Sequence, residues 1–294
     1  KAGPQCPQDE RIERSAKAGP QRPHDERTGR SPKAGIPYQI EDERQAGRRI
    51  NVTFAGTLRE EQKPALEEMA KHDTGILHAA TAFGKTVVCS ALIAEKQVNT
   101  LIILESSALI EQWEAALNQF LVIDEECPEY KTKSGRTKRR KSVIGRLQSA
   151  HDSMTGIIDI AMAGSLRKKG EFHPLMKQYG LVLVDECHHA ASDTIAAVLK
   201  VVPAKYVYGV TATPNRGDGL EKINYMLLGP IRYRYTAKEK ARAQGIDHLV
   251  YPRFTRTVPA KGTANGKMHP NEAYEIIRNN ELRDEQIAED VRRC

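Results

Sequence analysis

The chain has 294 residues, of which 39% are hydrophobic and 28% are charged, and its net charge is +7. This composition supports a packed core and excludes a chain that is unfolded throughout. No apolar run approaches the ~20 residues that a membrane span requires, and the N-terminus lacks the pattern of a secretory signal, so we expect a cytoplasmic protein without a membrane partner.

The positive charge is concentrated in one short segment. Residues 131–141 contain seven Lys or Arg and no acidic residue, and residues 1–50 carry an excess of three positive charges, so the rest of the chain sums to −3. The segment 131–141 is the candidate for contact with nucleic-acid phosphates, through Lys138, Arg139 and Arg140. A solvated loop without a partner is the alternative interpretation.

The first 48 residues are three copies of a 16-residue unit, which begin at Lys1, Lys17 and Lys33. The units are rich in Pro, Gly and paired charges, whereas stacked repeats need an apolar face in every unit. We therefore predict that residues 1–50 form a disordered, low-complexity tail.

From about residue 51, short apolar runs alternate with amphipathic segments. This alternation predicts an α/β fold with a central, mainly parallel sheet flanked by helices. One helix is expected over 109–120, with Ser107 as its N-cap. The predicted domain spans 51–258, and 259–294 is predicted to be a linker and one amphipathic helix. The apolar runs are 75–81, 100–104, 156–163, 180–184 and 205–210.

The segment Ala79–Thr86 (AATAFGKT) follows one of these runs and opens a helix. Consecutive backbone N–H groups in such a loop can bind phosphates at a helix N-terminus. We expect Lys85 to reach the β- and γ-phosphates and the Thr86 hydroxyl to coordinate Mg²⁺. Ala79 replaces the first Gly of GxxxxGKT, and a chance GKT in a turn is the alternative. The other predicted nucleotide-binding residues of the loop are Thr81, Ala82, Phe83 and Gly84.

An acid pair, Asp185 and Glu186, follows the apolar run 180–184. A parallel sheet presents such groups to a nucleotide at the carboxyl ends of its strands. Asp185 is predicted to hold Mg²⁺ through water, and Glu186 to orient and deprotonate the attacking water. Without the phosphate-binding loop, a solvated strand end would be the preferred interpretation.

A third polar strand end, Thr211-Ala212-Thr213, follows the run 205–210. Its hydroxyls can hydrogen-bond to the acid pair, and together with His188 these residues are predicted to couple nucleotide state to a neighbouring surface. A zinc site at Cys187, His188 and His189 is not expected, because no partner cluster supplies the remaining ligands.

Together these segments resemble the superfamily 2 helicases, the group with DEAD and DEAH boxes. They are most similar to the XPB-type repair helicases and the helicase-like subunits of restriction systems. The resemblance covers about residues 57–235. Its motifs are LREEQ at 58–62 (Q motif), AATAFGKT at 79–86, SSALIEQW at 106–113 (motif Ia), AGSL at 163–166, DECH at 185–188 and GVTATPNRGDG at 209–219 (motif III and its flank).

The resemblance implies a RecA-like P-loop NTPase fold that uses ATP and Mg²⁺ and binds nucleic acid, with DNA favoured over RNA. It places Gln62 on adenine, with Arg59 beside it in the Q motif. It also implies contact with the nucleic-acid backbone by residues of two further motifs, namely Ser106, Ser107, Gln112, Gly164 and Ser165.

Helicases of this group close ATP between two RecA-like lobes, and the second lobe contributes arginine fingers. About 60 residues follow Tyr235, which is too few for a lobe of typical domain size. We therefore expect a first lobe and its connection to a second one, with weak ATP binding and hydrolysis slower by about 10³-fold or more.

The predicted function is that of an ATP-dependent helicase or translocase, represented by its ATP-binding lobe. A non-catalytic lobe that binds nucleic acid or a partner without turnover is one alternative. A metabolic P-loop kinase is another, but it would leave the TATP and Gln-Trp segments unexplained.

Overall fold

The computed structural model describes residues 27–30, 37–40, 42–132, 135–149, 151–168, 170–213, 219, 221–243, 245, 252–254 and 270–293. The chain divides into two compact units, Lys1–Lys240 and Ala241–Cys294. This division lies N-terminal to the boundary at 258 and 259 that the composition predicts. The predicted linker at 259–269 lies outside the described residues.

Strands and helices alternate over residues 63–120 and 181–243, whereas residues 121–178 contain strands and short 3₁₀ turns. The strands are β1 (Arg27–Arg30), β2 (Pro37–Ile40), β3 (Val52–Phe54), β4 (Thr74–Ala79), β5 (Thr100–Leu104), β6 (Leu121–Ile123), β7 (Glu129–Lys131), β8 (Thr137–Arg139), β9 (Ile144–Gln148), β10 (His151–Asp152), β11 (Ile158–Met162), β12 (Arg167–Lys168), β13 (Glu171–Phe172), β14 (Leu181–Asp185), β15 (Tyr206–Thr211) and β16 (Ile231–Tyr235). The helices are α1 (Lys63–Ala70), α2 (Lys85–Lys96), α3 (Ala108–Phe120), α4 (Asp193–Val201), α5 (Glu221–Leu228), α6 (Ala237–Ala243), α7 (Pro270–Arg278) and α8 (Glu281–Arg293), with short 3₁₀ turns at Ala163–Ser165, Pro174–Gln178 and Cys187–His189.

A mainly parallel sheet forms the core of the first unit. Its strand order is β10-β9-β11-β5-β14-β15-β4-β16, and every neighbouring pair is parallel except the edge pair β9 and β10. All five residues of β5 are buried, as expected for a strand with helices on both faces. The α/β fold with a mainly parallel sheet is therefore confirmed.

Helix α3 packs on this sheet through one apolar stripe. Its buried residues Ile110, Trp113 and Leu117 recur at helical spacing, as the sequence predicts. The predicted cap at Ser107 is wrong in detail, because the Ser107 side chain makes no capping hydrogen bond. The backbone closes the first turn instead, with the N–H groups of residues 109 and 110 donating to the carbonyls of residues 106 and 107.

The end of the predicted tail is part of the folded unit. Residue Ile50 is buried, and Gln45 and Arg49 form β-bridges to Ala204 and Val98. Strands β1 and β2 pair as an antiparallel hairpin within the same tail. The prediction of disorder thus differs from the structure at 27–30, 37–40 and 42–50. The reason at 42–50 is that the β-bridges and the burial of Ile50 tie this segment to the folded unit, which the composition does not reveal, whereas residues 1–26 lie outside the described part.

Asn99 joins four segments at the amino ends of the strands, where it is only 3% exposed. Its Oδ1 accepts hydrogen bonds from the backbone N–H groups of Arg48 and Gly180 at 2.9 and 3.1 Å. Its Nδ2 donates to the carbonyl oxygens of Gly156 and Gln178 at 3.3 and 3.0 Å. One buried amide therefore satisfies four backbone groups that belong to no ladder.

The second unit contains α7 and α8 where the sequence predicts a single helix. The helices separate at Asn279 and Asn280, and the Asn280 Oδ1 accepts a hydrogen bond from the Arg283 backbone N–H at 2.9 Å. Asparagine is a favoured N-cap residue because its side chain can satisfy such an N–H group. Among the described residues, every helix is too short or too polar to pass through a lipid bilayer.

Candidate functional site

Five of the predicted site segments follow strands of the parallel sheet, whereas the Q motif and the basic segment do not. Strands β4, β5, β11, β14 and β15 lead into the segments 80–84, 105–107, 163–165, 186–189 and 212–213. Because these strands are parallel neighbours in register, their carboxyl ends lie at one edge. This is the edge at which open α/β sheets bind ligands.

The loop between β4 and α2 contains two residues with positive φ. Ala82 has a φ of +62° and Gly84 a φ of +83°, and α2 begins at Lys85. The Lys85 Nζ donates to the carbonyl oxygen of Ala79 at 3.4 Å, a long contact that leaves donors of the ammonium group for a ligand. Thr86 lies half-buried in the first turn of α2. The loop thus has the form of an anion-binding turn.

The side chains of Gln62 and Arg59 hydrogen-bond to the backbone of this loop. The Gln62 Nε2 donates to the Phe83 carbonyl at 2.7 Å, and its Oε1 accepts from the Arg59 backbone N–H at 2.9 Å. The Arg59 guanidinium donates to the carbonyl oxygens of Phe83 and Ala82. A Cβ on Gly84 would lie 2.4 Å from the Gln62 Nε2. Because both ends of the Gln62 amide are engaged inside the protein, its observed role is to support the loop, and adenine contact stays a prediction.

Phe83 contributes to the loop through its backbone only. Its side chain is 1% exposed and packs against Tyr235, with the ring centroids 4.9 Å apart. Thr81 is exposed, and its carbonyl oxygen accepts a hydrogen bond from the Lys240 Nζ at 3.1 Å. The sequence motifs did not single out Tyr235 and Lys240 as site residues, since both lie about 150 residues after the loop.

The Asp185 carboxylate is fixed by two donors. Its Oδ2 accepts from the Trp113 indole Nε1–H at 2.7 Å, and its Oδ1 accepts from the Glu186 backbone N–H at 2.9 Å. Burial raises the pKa of Asp185 above its ordinary value, and the Trp113 hydrogen bond acts in the opposite direction. A carboxylate whose charge is disfavoured by burial favours a nearby cation.

Glu186 and the TAT segment form one hydrogen-bonded network. The Glu186 Oε2 accepts from the Thr211 hydroxyl at 3.4 Å and lies 3.3 Å from the His188 Nδ1. The same His188 nitrogen lies 3.0 Å from the Thr211 Oγ1, which also accepts from the Thr213 backbone N–H at 3.1 Å. The structure therefore brings together the predicted coupling residues Thr211, Thr213 and His188 with Glu186. Ala212, half-buried between the two threonines, has no polar side chain to join them.

Asn224 supports this network from α5 and was not identified from the sequence. It is buried, and its Nδ2 donates to the His188 carbonyl oxygen at 3.1 Å. Among the residues that the structure describes, none donates a hydrogen bond to its Oδ1. No motif distinguishes this asparagine, because only the packing of α5 brings it under the turn at 187–189.

Four of the five motif residues predicted at the nucleic-acid backbone are exposed at this edge, namely Ser106, Ser107, Gln112 and Gly164. Ser165 is different. It is buried, and its Oγ accepts a hydrogen bond from the Ser149 backbone N–H at 2.8 Å. The Ser165 side chain thus ties the 3₁₀ turn to the β9–β10 hairpin, and its contact with nucleic acid stays a prediction.

The basic segment includes part of a hairpin, with β7 and β8 as its strands. Lys138 and Arg139 are exposed, and the Arg139 Nη2 lies 3.8 Å from carboxylate oxygens of Glu126 and Glu129. Arg140 is held within the protein, since its guanidinium lies 4.3 Å from the Tyr130 ring centroid and donates to the Asp152 carbonyl at 3.2 Å. The three residues predicted to act together thus differ, because Lys138 and Arg139 are exposed whereas the Arg140 guanidinium is engaged within the protein.

Comparison with known proteins identifies relatives of this chain. The DNA 3'-5' translocase XPB2 of Sulfurisphaera tokodaii is 30% identical over 184 residues, which cover 63% of this chain and 37% of that protein. Putative helicase 109L of Invertebrate iridescent virus 3 is 30% identical over 220 residues, or 71% of this chain and 59% of that protein. The chain thus spans less than two thirds of each of these relatives.

Among solved structures, the UvsW helicase of bacteriophage T4 is similar with a TM-score of 0.46 and 17% identity, and 63% of each chain is covered. The family described as "Type III restriction enzyme, res subunit" matches residues 55–216. Since this match spans more than half of the chain, the protein belongs to this family, in agreement with the resemblance of its motifs to the superfamily 2 helicases and the helicase-like subunits of restriction systems.

Proposed function

We propose that this chain is the ATP-binding lobe of an ATP-dependent helicase or translocase that acts on DNA. The observation that carries the proposal is the convergence of the loop 80–84 before α2, the acid pair Asp185 and Glu186, and the threonine–histidine network at one edge of a parallel sheet. The chain's similarity to XPB2 of Sulfurisphaera tokodaii, a DNA 3'-5' translocase by name, supports DNA as the nucleic acid.

ATP would be held by the backbone of the loop, by Lys85 and by Thr86. The residues suit Mg²⁺ as well, because a hydroxyl and a carboxylate, those of Thr86 and Asp185, are hard oxygen ligands of the kind this ion prefers. Bound Mg²⁺ would neutralise charge on the phosphate oxygens during transfer. Glu186 would orient the attacking water and accept its proton, and Thr211 would hold the carboxylate of Glu186 in place.

The Lys85 assignment can be tested by binding. Lys85→Ala is expected to weaken the binding of Mg·ADP by about 10- to 100-fold, because hydrogen bonds to charged groups contribute about 1.5–3 kcal/mol each. The measurement is isothermal titration calorimetry. Lys63→Ala is the control, since it removes an exposed lysine that pairs only with the neighbouring Glu60 among the contacts seen. A change of less than twofold for Lys85→Ala would contradict the assignment of the loop as a phosphate site.

DNA contact by the basic hairpin can be tested through salt dependence. The double variant Lys138→Glu with Arg139→Glu is expected to reduce the slope of log affinity against log salt concentration by about two, since each phosphate contact contributes about 0.7–0.9. The measurement is fluorescence anisotropy of labelled DNA over a salt series.

The matched control for this experiment is Lys71→Glu with Lys200→Glu, which changes net charge equally at an exposed lysine just after α1 and at one on α4. Equal slopes in the hairpin variant and the wild-type chain would refute the hairpin as a DNA contact. Equal reductions in both variants would show that net charge, and not this surface, determines affinity.

A further inference from the structure

Trp113 is the single tryptophan of the chain, and its side chain hydrogen-bonds to the acid pair of the candidate site. It lies on the buried stripe of α3 and is 1% exposed. Packing alone would need only an aromatic ring there. The indole also has one polar atom, and this Nε1–H donates to the Asp185 Oδ2 at 2.7 Å, across 72 residues of sequence.

The geometry leaves the carboxylate of Asp185 both fixed and usable. One oxygen accepts from Trp113 and the other from the Glu186 backbone N–H, so the two donors come from different elements and resist rotation of the carboxylate. An ionised carboxylate has about four acceptor positions. Two are used here, which leaves lone pairs on each oxygen for a cation or its bound water.

Groups that orient a metal-binding side chain have large effects on metal affinity although they do not touch the metal. Removing such a partner typically lowers metal affinity by about 10- to 100-fold. From the hydrogen bond between Trp113 and Asp185 we infer that Trp113 is a positioning residue for Mg²⁺ at the nucleotide site. This inference rests on the proposed function, because it takes Asp185 as the group that holds Mg²⁺.

The test separates orientation of the carboxylate from packing of α3. Trp113→Phe keeps a buried ring and removes only the N–H donor and part of the volume. The affinity for a methylanthraniloyl-labelled ADP is measured by anisotropy in Mg²⁺ and in EDTA. We expect the affinity in EDTA to stay within about twofold of wild type, and the gain in affinity caused by Mg²⁺ to fall by about tenfold.

Leu117→Ala is the matched control, since it removes buried volume from the same stripe of α3 but no hydrogen bond. It is expected to leave the Mg²⁺ gain unchanged. An unchanged Mg²⁺ gain in Trp113→Phe would overturn the inference, and so would an equal loss of affinity in Mg²⁺ and in EDTA. Loss of nucleotide binding by the wild-type chain in both buffers would instead overturn the proposed function itself.

A second measurement does not depend on the folding of the Phe variant. Because Trp113 is the single tryptophan, its emission reports on its hydrogen-bond partner directly. We expect Mg·ADP to shift the emission of the wild-type chain, ADP with EDTA to have a smaller effect, and the Asp185→Asn variant to lose the Mg²⁺-dependent part. Emission that does not respond to Mg²⁺ in the nucleotide-bound wild-type chain would contradict the inference.

Discussion

Replacing Glu186 with glutamine is expected to slow ATP hydrolysis by about 10²- to 10⁴-fold, the range that a positioned general base contributes. Glutamine has the same shape and can still accept the hydrogen bond that Thr211 donates at 3.4 Å, but it cannot take a proton from water. Binding of Mg·ATP is expected to be unchanged. The measurement is single-turnover hydrolysis of radiolabelled ATP, with and without DNA.

Glu105→Gln provides the matched control for this experiment. Glu105 follows β5 as Glu186 follows β14, so it lies at the same edge of the sheet, but its carboxylate lies beside His189 at 3.4 Å. Hydrolysis by Glu105→Gln is expected within about threefold of wild type. If Glu186→Gln hydrolyses ATP as fast as the wild-type chain, Glu186 is not the general base. A wild-type chain that binds ATP but hydrolyses none would favour the non-catalytic lobe.

Replacing Asn99 with alanine is expected to lower the free energy of unfolding by about 3–5 kcal/mol. The change removes the side-chain partner of the Arg48 N–H group and of the Gly156 and Gln178 carbonyls, whereas the Gly180 N–H keeps the Asn99 backbone carbonyl at 3.2 Å. Each buried polar group left unsatisfied costs about 1–3 kcal/mol, and partial access of water to the cavity lowers the sum.

The loss of stability is measured by urea unfolding followed by Trp113 fluorescence. A lower midpoint at constant m-value would show a change in stability and not in the compactness of either state. Asn118→Ala is the control, since Asn118 is exposed on α3 and its amide donates only to the Glu114 carbonyl of the same helix. It is expected to change stability by at most about 0.5 kcal/mol. Equal midpoints for the two variants would contradict a structural role for Asn99.

Much of the fold could be predicted because the hydrophobic pattern within each segment indicates whether it forms a strand or a helix. The apolar run 100–104 coincides with β5, and the helix expected over 109–120 is α3, which begins one residue earlier. Buried parallel strands and amphipathic helices have recognisable periods, so each could be identified from its own residues. Predictions that failed concern ends and turns, such as the cap at Ser107 and the single helix that is divided at Asn279 and Asn280. There, one side chain or one backbone bond decides the outcome.

The candidate site divides in the same way. Asp185 ends β14 and Glu186 follows it, and Lys85 begins α2 after the loop that follows β4. These residues could be identified because a parallel sheet brings such positions to one edge. Partners that lie far away in sequence could not be identified. The spacing of Trp113 predicts a core residue, and the Q-motif resemblance predicts that Gln62 contacts adenine. The structure gives the first a carboxylate partner and turns the second toward the loop backbone.

The sequence by itself thus determined which segments form strands and helices of an α/β fold, the order of the motifs, and the types of residue at the candidate site. These depend on periodicity and on residues adjacent in the chain. Only the tertiary structure decided which polar groups pair, such as Trp113 with Asp185, Asn224 with the turn at His188, and Ser165 with Ser149. Such pairs depend on how helices pack against the sheet, and no local pattern encodes that packing.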